Sequence, residues 1–403
     1  MRTVLENEAQ AGILVALSRS PAALSRAQLA DAVGLGRNAL SVEVRRLIAS
    51  GLLEEGDVDR SGGGRPSRLL RLAAEAGVIA AIDVGATSLD VALTTLGGSI
   101  LAHRAEESSL VDGAAAVLAR AIELVRELLD EQGLDTKDVR AAGVDVPGPV
   151  AGVDGRPVAP PVAPGWHGFP IQELVGELGC PVAVDNDANA MAVAEQVRGA
   201  ARGVDDFLYV KVGTGIGVGL VVDGRLVRGV DGGAGEVGHI CVDPDSDVLC
   251  LCGNRGCLQI LSAGPAIAAA GERAARDGRS AALAAVLERT GRVTAEDVGR
   301  SASGDAVAIE ILRRSGALIG ETLAGVVNLL NPALLVMGGG VSRAGDPFVA
   351  EIRSTIYRRS LPLATRSLSI VPAELGPLAG VVGASLMAVE ALAGRRSGVL
   401  SAS

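Results

Sequence analysis

Apolar positions change period along the chain. Residues 9–18 are mostly apolar and helix-compatible, up to a break at Pro21. Ser25 is placed to cap a helix over Arg26–Val33, with Gln28 at the capping-box position. Leu40, Val44, Leu47 and Ile48 keep the 3.6-residue period and predict a third helix from about Arg37 to Ser50. Gly51 then ends it. The polar face of that helix carries Arg37, Asn38, Ser41 and Arg45. Leu52–Val58 and Arg68–Leu72 read as two short strands around Arg60-Ser61-Gly62-Gly63-Gly64-Arg65-Pro66-Ser67. The pattern predicts a winged helix-turn-helix whose third helix fits a major groove, with Arg65 on a wing that reaches a minor groove or phosphates. Glu43 is the awkward residue, since it repels phosphate unless turned away. Alternatively the glycine-rich segment is a plain linker between two domains, or the helical trio is a protein-docking module.

From Val78 the helical period gives way to apolar runs punctuated by glycine. Val78–Val84 is a buried strand, Gly85-Ala86-Thr87-Ser88 a turn, Leu89–Thr95 a second strand and Ser99–His103 a third. The order returns with strand Phe207–Val212, turn Gly213-Thr214-Gly215-Ile216-Gly217, strand Val218–Val222 and strand Arg225–Arg228. Two such hairpins indicate an internal duplication. Backbone N–H groups in glycine turns can cradle phosphates, although neither turn fits a Walker loop or G-x-G-x-x-G. After the Asn331-Pro332 break, strand Leu334–Met337 runs into Gly338-Gly339-Gly340, where a nucleotide can lie close to backbone. Between the hairpins, Val182–Ala190 is a strand running into a helix. Asp187 sits there like a general base; alternatively Asp185 and Asp187 simply cap the helix.

Four soft donors stand together in a chain with only three His and five Cys. His239, Cys250, Cys252 and Cys257 match a closed tetrahedral zinc site, with two glycines between the last two thiols to allow tight turns. With all four positions filled by protein, the metal is structural. Cys180 and Cys241 are left over, which favours a reducing cytoplasm over a disulfide framework. No stretch reads as a signal peptide or a membrane span.

A length of 403 residues predicts two or three domains, and 48% hydrophobic composition supplies their cores. The net charge of -10 is unevenly spread. Residues 1–72 hold 10 Lys/Arg and 8 Asp/Glu, and the remainder 27 and 39. A mildly basic head on an acidic body suits a head that meets a polyanion.

Together these motifs resemble the ROK family of repressors, open reading frames and sugar kinases. Asp83-Val84-Gly85-Ala86-Thr87 is similar to its first phosphate motif, Gly213–Gly217 to its second, and Gly338-Gly339-Gly340-Val341 to its nucleotide-side motif. Gly235-Glu236-Val237-Gly238-His239 with the three cysteines is similar to its zinc signature. The head with its Gly-Gly-Arg-Pro wing resembles that of the family's repressors. The resemblance implies a winged-helix DNA-binding domain joined to an α/β, actin-like (ribonuclease H-like), two-lobed body of the sugar-kinase type. The expected divisions are 1–75 for the head, 76–187 for a small lobe and 188–379 for a large lobe with the zinc site. A C-terminal helix at about 380–395 is expected to pack back on the small lobe.

By resemblance, Asn186, Asp187, Glu236, His239 and Gln259 contact a sugar in the interlobe cleft, and Asp187 is the base if the protein is a kinase. Asp83, Gly85, Thr87, Gly213, Thr214, Gly215, Gly338 and Gly339 face a nucleotide, with ATP and Mg2+ in a kinase. Two departures weigh against catalysis. Ser88 stands where the family's kinases have Lys, and Gln259 where the family has Glu. The expected function is a sugar-responsive transcriptional repressor, acting on operator DNA in the cytoplasm as a homodimer or homotetramer. An ATP-dependent hexose kinase with an accessory head is the alternative. Sensing of a phosphosugar or a protein partner is a third possibility.

Overall fold

The computed structural model describes residues 5, 7–59, 67–151, 155–158, 165–343 and 345–394. The chain forms two compact units. The first comprises residues 1–158, 163–198 and 378–403, and the second residues 159–162 and 199–377.

The first unit opens with α1 (Glu8–Arg19), α2 (Arg26–Val33) and α3 (Arg37–Ala49), followed by antiparallel β1 (Leu53–Asp59) and β2 (Ser67–Leu72). The local signals act as anticipated. Ser25 and Gln28 form a reciprocal capping box on α2. Gly34 ends α2 at φ 68, and Gly51 lies just beyond α3 at φ 75. Both are left-handed positions that favour glycine. Ile13, Leu14, Leu17, Leu29, Leu40, Val44, Leu47 and Leu70 are buried together. The same cluster continues into Ile79, Leu96, Ala141, Ala388 and Val389 of the following layer. The helical head therefore shares its core with the sheet behind it.

That sheet contains β3 (Val78–Val84), β4 (Ser88–Thr95), β5 (Ile100–Glu107), β6 (Val139–Val146) and β7 (Val182–Asn186), ordered β5-β4-β3-β6-β7. β3, β4 and β5 are antiparallel neighbours, whereas β6 and β7 add in parallel. α4 (Ala114–Glu131), with an apolar face through Val117, Leu118, Ala121, Leu124, Val125 and Leu128, joins β5 to β6. The short α5 (Ile171–Val175) precedes β7, and α6 (Asp187–Arg198) follows it directly. The C-terminal helix, Ala379–Leu392, is buried almost all round. Glycine lets it approach the sheet. A Cβ on Gly143 of β6 would lie 1.9 Å from the Ala384 carbonyl oxygen. G143A is accordingly expected to cost about 1–3 kcal/mol through overpacking and to lower the melting temperature by several degrees. An unchanged melting curve would contradict this packing.

The second unit repeats the plan. β8 (Phe207–Val212), β9 (Ile216–Val222), β10 (Arg225–Val227), β11 (Leu334–Gly338) and β12 (Ser369–Pro372) are ordered β10-β9-β8-β11-β12. Counted from its own first strand, each sheet runs 3-2-1-4-5, with the fourth and fifth strands parallel to the first. This shared order is what the two glycine hairpins foreshadow. α7 (Leu258–Ser262), α8 (Gly264–Arg276), α9 (Ala281–Thr290), α10 (Ala295–Ser301), α11 (Ala306–Leu330), α12 (Asp346–Arg359) and α13 (Pro362–Thr365) complete the unit. Asn331 caps α11 at φ 48, so the Asn331-Pro332 break is a helix end.

The division between units differs from the expected 187/188 boundary. α6 belongs to the first unit, and the long segment of the second begins at Gly199. Arg198, the last residue of α6, bonds to Ser18, Ser20 and Gly97, far away in sequence, which a local pattern does not reveal.

Candidate functional site

In the second unit the ligand atoms of His239, Cys250, Cys252 and Cys257 lie within 4.8 Å of one another. Cys252 Sγ is 3.7 Å from Cys257 Sγ, and Cys250 Sγ is 3.6 Å from His239 Nδ1. Metal–ligand bonds of about 2.3 Å to sulfur and 2.0 Å to nitrogen give tetrahedral edges of about that length. The donor set thus fits one small, thiophilic cation. Local backbone explains the convergence. Gly253 and Gly256 adopt φ 91 and φ 64, and a Cβ at Gly256 would lie 1.9 Å from the Asp243 carbonyl oxygen. Burial, with the Cys252 and Cys250 thiols beside it, pushes Cys257 up to about 12. Burial also raises Cys252, but hydrogen bonds from Asn254 and the neighbouring thiols outweigh it, leaving this thiol below its ordinary value. Burial lowers His239, which favours the neutral ring a metal requires.

The same loop presents polar groups. His239 turns Nδ1 to Cys250 and Nε2 toward Glu236, whose Oε2 is 3.9 Å away. Both side chains are partly exposed. The Gln259 amide oxygen lies 3.2 Å from the Cβ position of Gly215 and 3.0 Å from that of Gly238. Gln259 therefore stands where the second glycine turn and the His239 loop meet. The second turn is closed by Gly213 N–H donating to the Gly215 carbonyl, with Gly264 N–H on the Gly213 carbonyl. Gly338 has a structural reason of its own. A Cβ there would lie 1.9 Å from the hydroxyl of buried Tyr209. Gly339, at φ 84, crosses close to Val212.

In the first unit, Asp83, Asp145 and Asp185 form one register row across β3, β6 and β7, near the carboxyl ends of the strands. Asp187 follows as the first residue of α6 and is buried, with its Oδ1 accepting from Ala188 N–H at 2.7 Å. The cap of α6, however, is Asn186. Its Oδ1 accepts from Ala188 and Asn189 N–H, and its Nδ2 donates to the Gly148 carbonyl. Asp185 instead accepts from Asn186 N–H and Asn189 Nδ2. Of the two readings of this segment, capping thus falls to Asn186, a residue that neither reading named. Asn186 spends both lone pairs of its oxygen on the helix and has only amide N–H capacity to offer a ligand. In the first turn, Gly85 N–H is closed on the Ser88 carbonyl, and Thr87 accepts from Ser108 N–H. Asp83 packs tightly against the C-terminal helix, where a Cβ on Gly380 would lie 1.9 Å from its Oδ2.

On the head, Arg37, Asn38 and Arg45 are exposed on α3. Ser41 is half-buried and donates its hydroxyl to the Arg37 carbonyl at 2.8 Å. Glu43 is turned away. Gln10 Nε2 at 2.8 Å, Asn7 Nδ2 and Arg46 engage its carboxylate. The Gln10 bond is the largest influence holding its pKa below the usual carboxylate value, against a smaller opposing effect of burial. Val42 is 38% exposed and lies one turn from Asn38 and Arg45. In the sequence it stands out only as an apolar residue outside the buried stripe of Leu40, Val44 and Leu47. An apolar group on such a face complements a thymine methyl. Arg65 lies outside the described residues.

Two units with the same 3-2-1-4-5 sheet, a Cys/His cluster beside the second glycine turn and a helical head define a ribonuclease H-like α/β protein with an added N-terminal module. The chain belongs to the ROK family, whose model matches residues 79–391. A glucokinase of Halalkalibacterium halodurans is 33% identical over 75% of this chain and 92% of its own length. A putative xylose repressor of a Caldicellulosiruptor species is 30% identical over 91% of this chain and 92% of its own. Among solved structures, a ROK family transcriptional regulator, a homologue of the Escherichia coli Mlc protein, superposes with a TM-score of 0.80. It is 28% identical and covers 96% of both chains. Among the described residues no helix is long and apolar enough to cross a membrane.

Proposed function

We propose that this chain is a sugar-responsive transcriptional repressor of carbohydrate genes. The observation that carries the reading is the head. It presents Arg37, Asn38, Val42 and Arg45 on one helix while Glu43 is tied back, and it precedes the residues that the family model matches. The regulators matched above extend over this head, whereas the glucokinase alignment accounts for three-quarters of the chain. In this reading residues 1–75 are the DNA-binding domain, and a homo-oligomer places two heads on a pseudo-palindromic operator.

The candidate sugar contacts are Asn186, Asp187, Glu236, His239 and Gln259. Sugar hydroxyls pair with carboxylates through charge-assisted hydrogen bonds and with side-chain amides through neutral ones. Zn2+ is the metal that suits His239, Cys250, Cys252 and Cys257, and its role is structural. When bound it fixes the His239 loop and leaves His239 Nε2 directed to Glu236. The sugar lowers operator affinity by the difference in its own affinity for the two states of the protein. The protein acts in the compartment that holds the DNA.

Asp187 keeps a kinase reading open, because a buried carboxylate at the start of a helix is suited to accept a hydroxyl proton. Against it, Ser88 supplies no cation to developing phosphoryl charge, and Asp83 is packed on the C-terminal helix. ATP-dependent phosphorylation of glucose, N-acetylglucosamine and N-acetylmannosamine is expected to stay at background. Turnover of about 1–100 per second, usual for kinases, would reinstate the enzyme.

The DNA-binding reading is tested by fluorescence anisotropy with DNA from upstream of the chain's own gene, across a salt series. Selective binding that weakens steeply with salt is expected. Equal affinity for unrelated DNA of the same length would sink it.

A further inference from the structure

Beside the shared apolar core, two polar ties join the head to the rest of the first unit, and both meet the C-terminal end of α1. Arg198, the last residue of α6, reaches it from one side. Its Nη1 donates to the Ser20 carbonyl at 2.8 Å, and its Nη2 donates to the Ser18 carbonyl at 2.9 Å and to the Gly97 carbonyl at 2.8 Å. Ser18 and Ser20 close α1, so the guanidinium meets the negative end of that helix dipole. Gly97 lies in the turn between β4 and β5. The second tie comes from the C-terminal helix, whose buried Glu390 accepts from Arg19 Nε at 3.0 Å. The two helices that deliver these charges are themselves locked together. A Cβ on Gly383 would lie 2.0 Å from the Ala190 carbonyl oxygen of α6.

The other end of α6 is Asp187. Its twelve residues, at about 1.5 Å each, form one uninterrupted helix with the candidate sugar-binding carboxylate at its start and the anchor of the head at its end. A partly buried guanidinium bridging three carbonyls has a fixed geometry, because its donors are planar and rigid. A shift or tilt of α6 caused by a ligand on Asp187 must therefore move α1 or break these bonds.

We infer that Arg198 is a positioning residue that sets the head against the sheet of the first unit and passes sugar occupancy at Asp187 to it through α6. This rests on the proposed repressor function. It adds to that reading a named link, which lies away from both the sugar contacts and the DNA-facing helix.

The test uses the full-length protein with Arg198→Met, which keeps length and apolar contact, and Arg198→Lys, which keeps charge without the fork. Hydrogen exchange is followed first. Arg198→Met is expected to lose protection at α1 and residues 20–24 while α6 and the C-terminal helix stay protected. Unchanged exchange at α1 would overturn the anchor. The second measurement is the coupling factor, the ratio of operator Kd with and without sugar, beside sugar Kd by calorimetry. Coupling is expected to fall from the usual range of about 5–150-fold to within about twofold of unity, with sugar Kd unchanged and Arg198→Lys intermediate. A merely structural role predicts a lower melting temperature with coupling intact, and that result would overturn the proposal. If the unaltered protein responds to no sugar, the repressor reading fails, while the exchange measurement still decides whether Arg198 holds the head.

Discussion

The double variant N38A/R45A is expected to lose selective operator binding while folding normally. Both side chains are exposed on α3, so their removal leaves the buried stripe of Leu40, Val44 and Leu47 intact. Each good bidentate side-chain–base pair contributes about 1–3 kcal/mol of discrimination. Two together correspond to a loss of roughly 30-fold to 20,000-fold. The melting temperature and sugar affinity should not change, because neither residue is part of a core. Anisotropy with operator and scrambled DNA measures the loss directly. Retained selectivity would move base reading away from this helix face.

C252A is expected to have the second largest effect, on the other arm of the protein. Cys252 is exposed, so the substitution removes a metal ligand without opening a cavity in the core. Bound metal per chain should fall from one to near zero by elemental analysis. Sugar affinity should fall by about 10–100-fold or more, the scale seen when the support of a metal site is lost, because the His239 loop loses its anchor. The large core built on β8, β9, α11 and α12 does not involve the Cys252 side chain, so operator binding should persist and respond only at correspondingly higher sugar concentration. Proton linkage gives a companion signature. Burial raises Cys257, so metal binding must displace its proton and should weaken as pH falls. Stoichiometric metal in C252A would contradict the assignment of ligands.

What the sequence displayed clearly was local. The capping box of Ser25 and Gln28, the left-handed Gly34 and Gly51, and the four soft donors within nineteen positions each depend on near neighbours. The repeated hairpins announced a duplicated topology, and the identical strand orders carry it through. What stayed hidden depends on contacts made across long stretches of chain. Glu43 looked hostile to DNA because Gln10 and Asn7, which restrain it, lie more than thirty positions away. Motif resemblance marks Asn186 as a sugar contact, and its capping bonds and its tie to Gly148 emerge only with the fold. Gly380 and Gly143 looked like ordinary small residues until the C-terminal helix was seen to press on Asp83 and on β6. The assignment of α6 to the first unit has the same origin, since it follows from Arg198 and from the packing at Gly383.

The central claim is that one protein binds an operator and releases it on binding a sugar. The most direct measurement is the anisotropy of labelled upstream DNA, titrated with the full-length, metal-loaded protein in the presence of each of a panel of mono- and disaccharides and their phosphates. The account predicts tight, selective binding that one free sugar weakens by about 5–150-fold, the usual range for allosteric coupling. Selective binding that no free sugar alters, or that only a phosphosugar relieves, would contradict it.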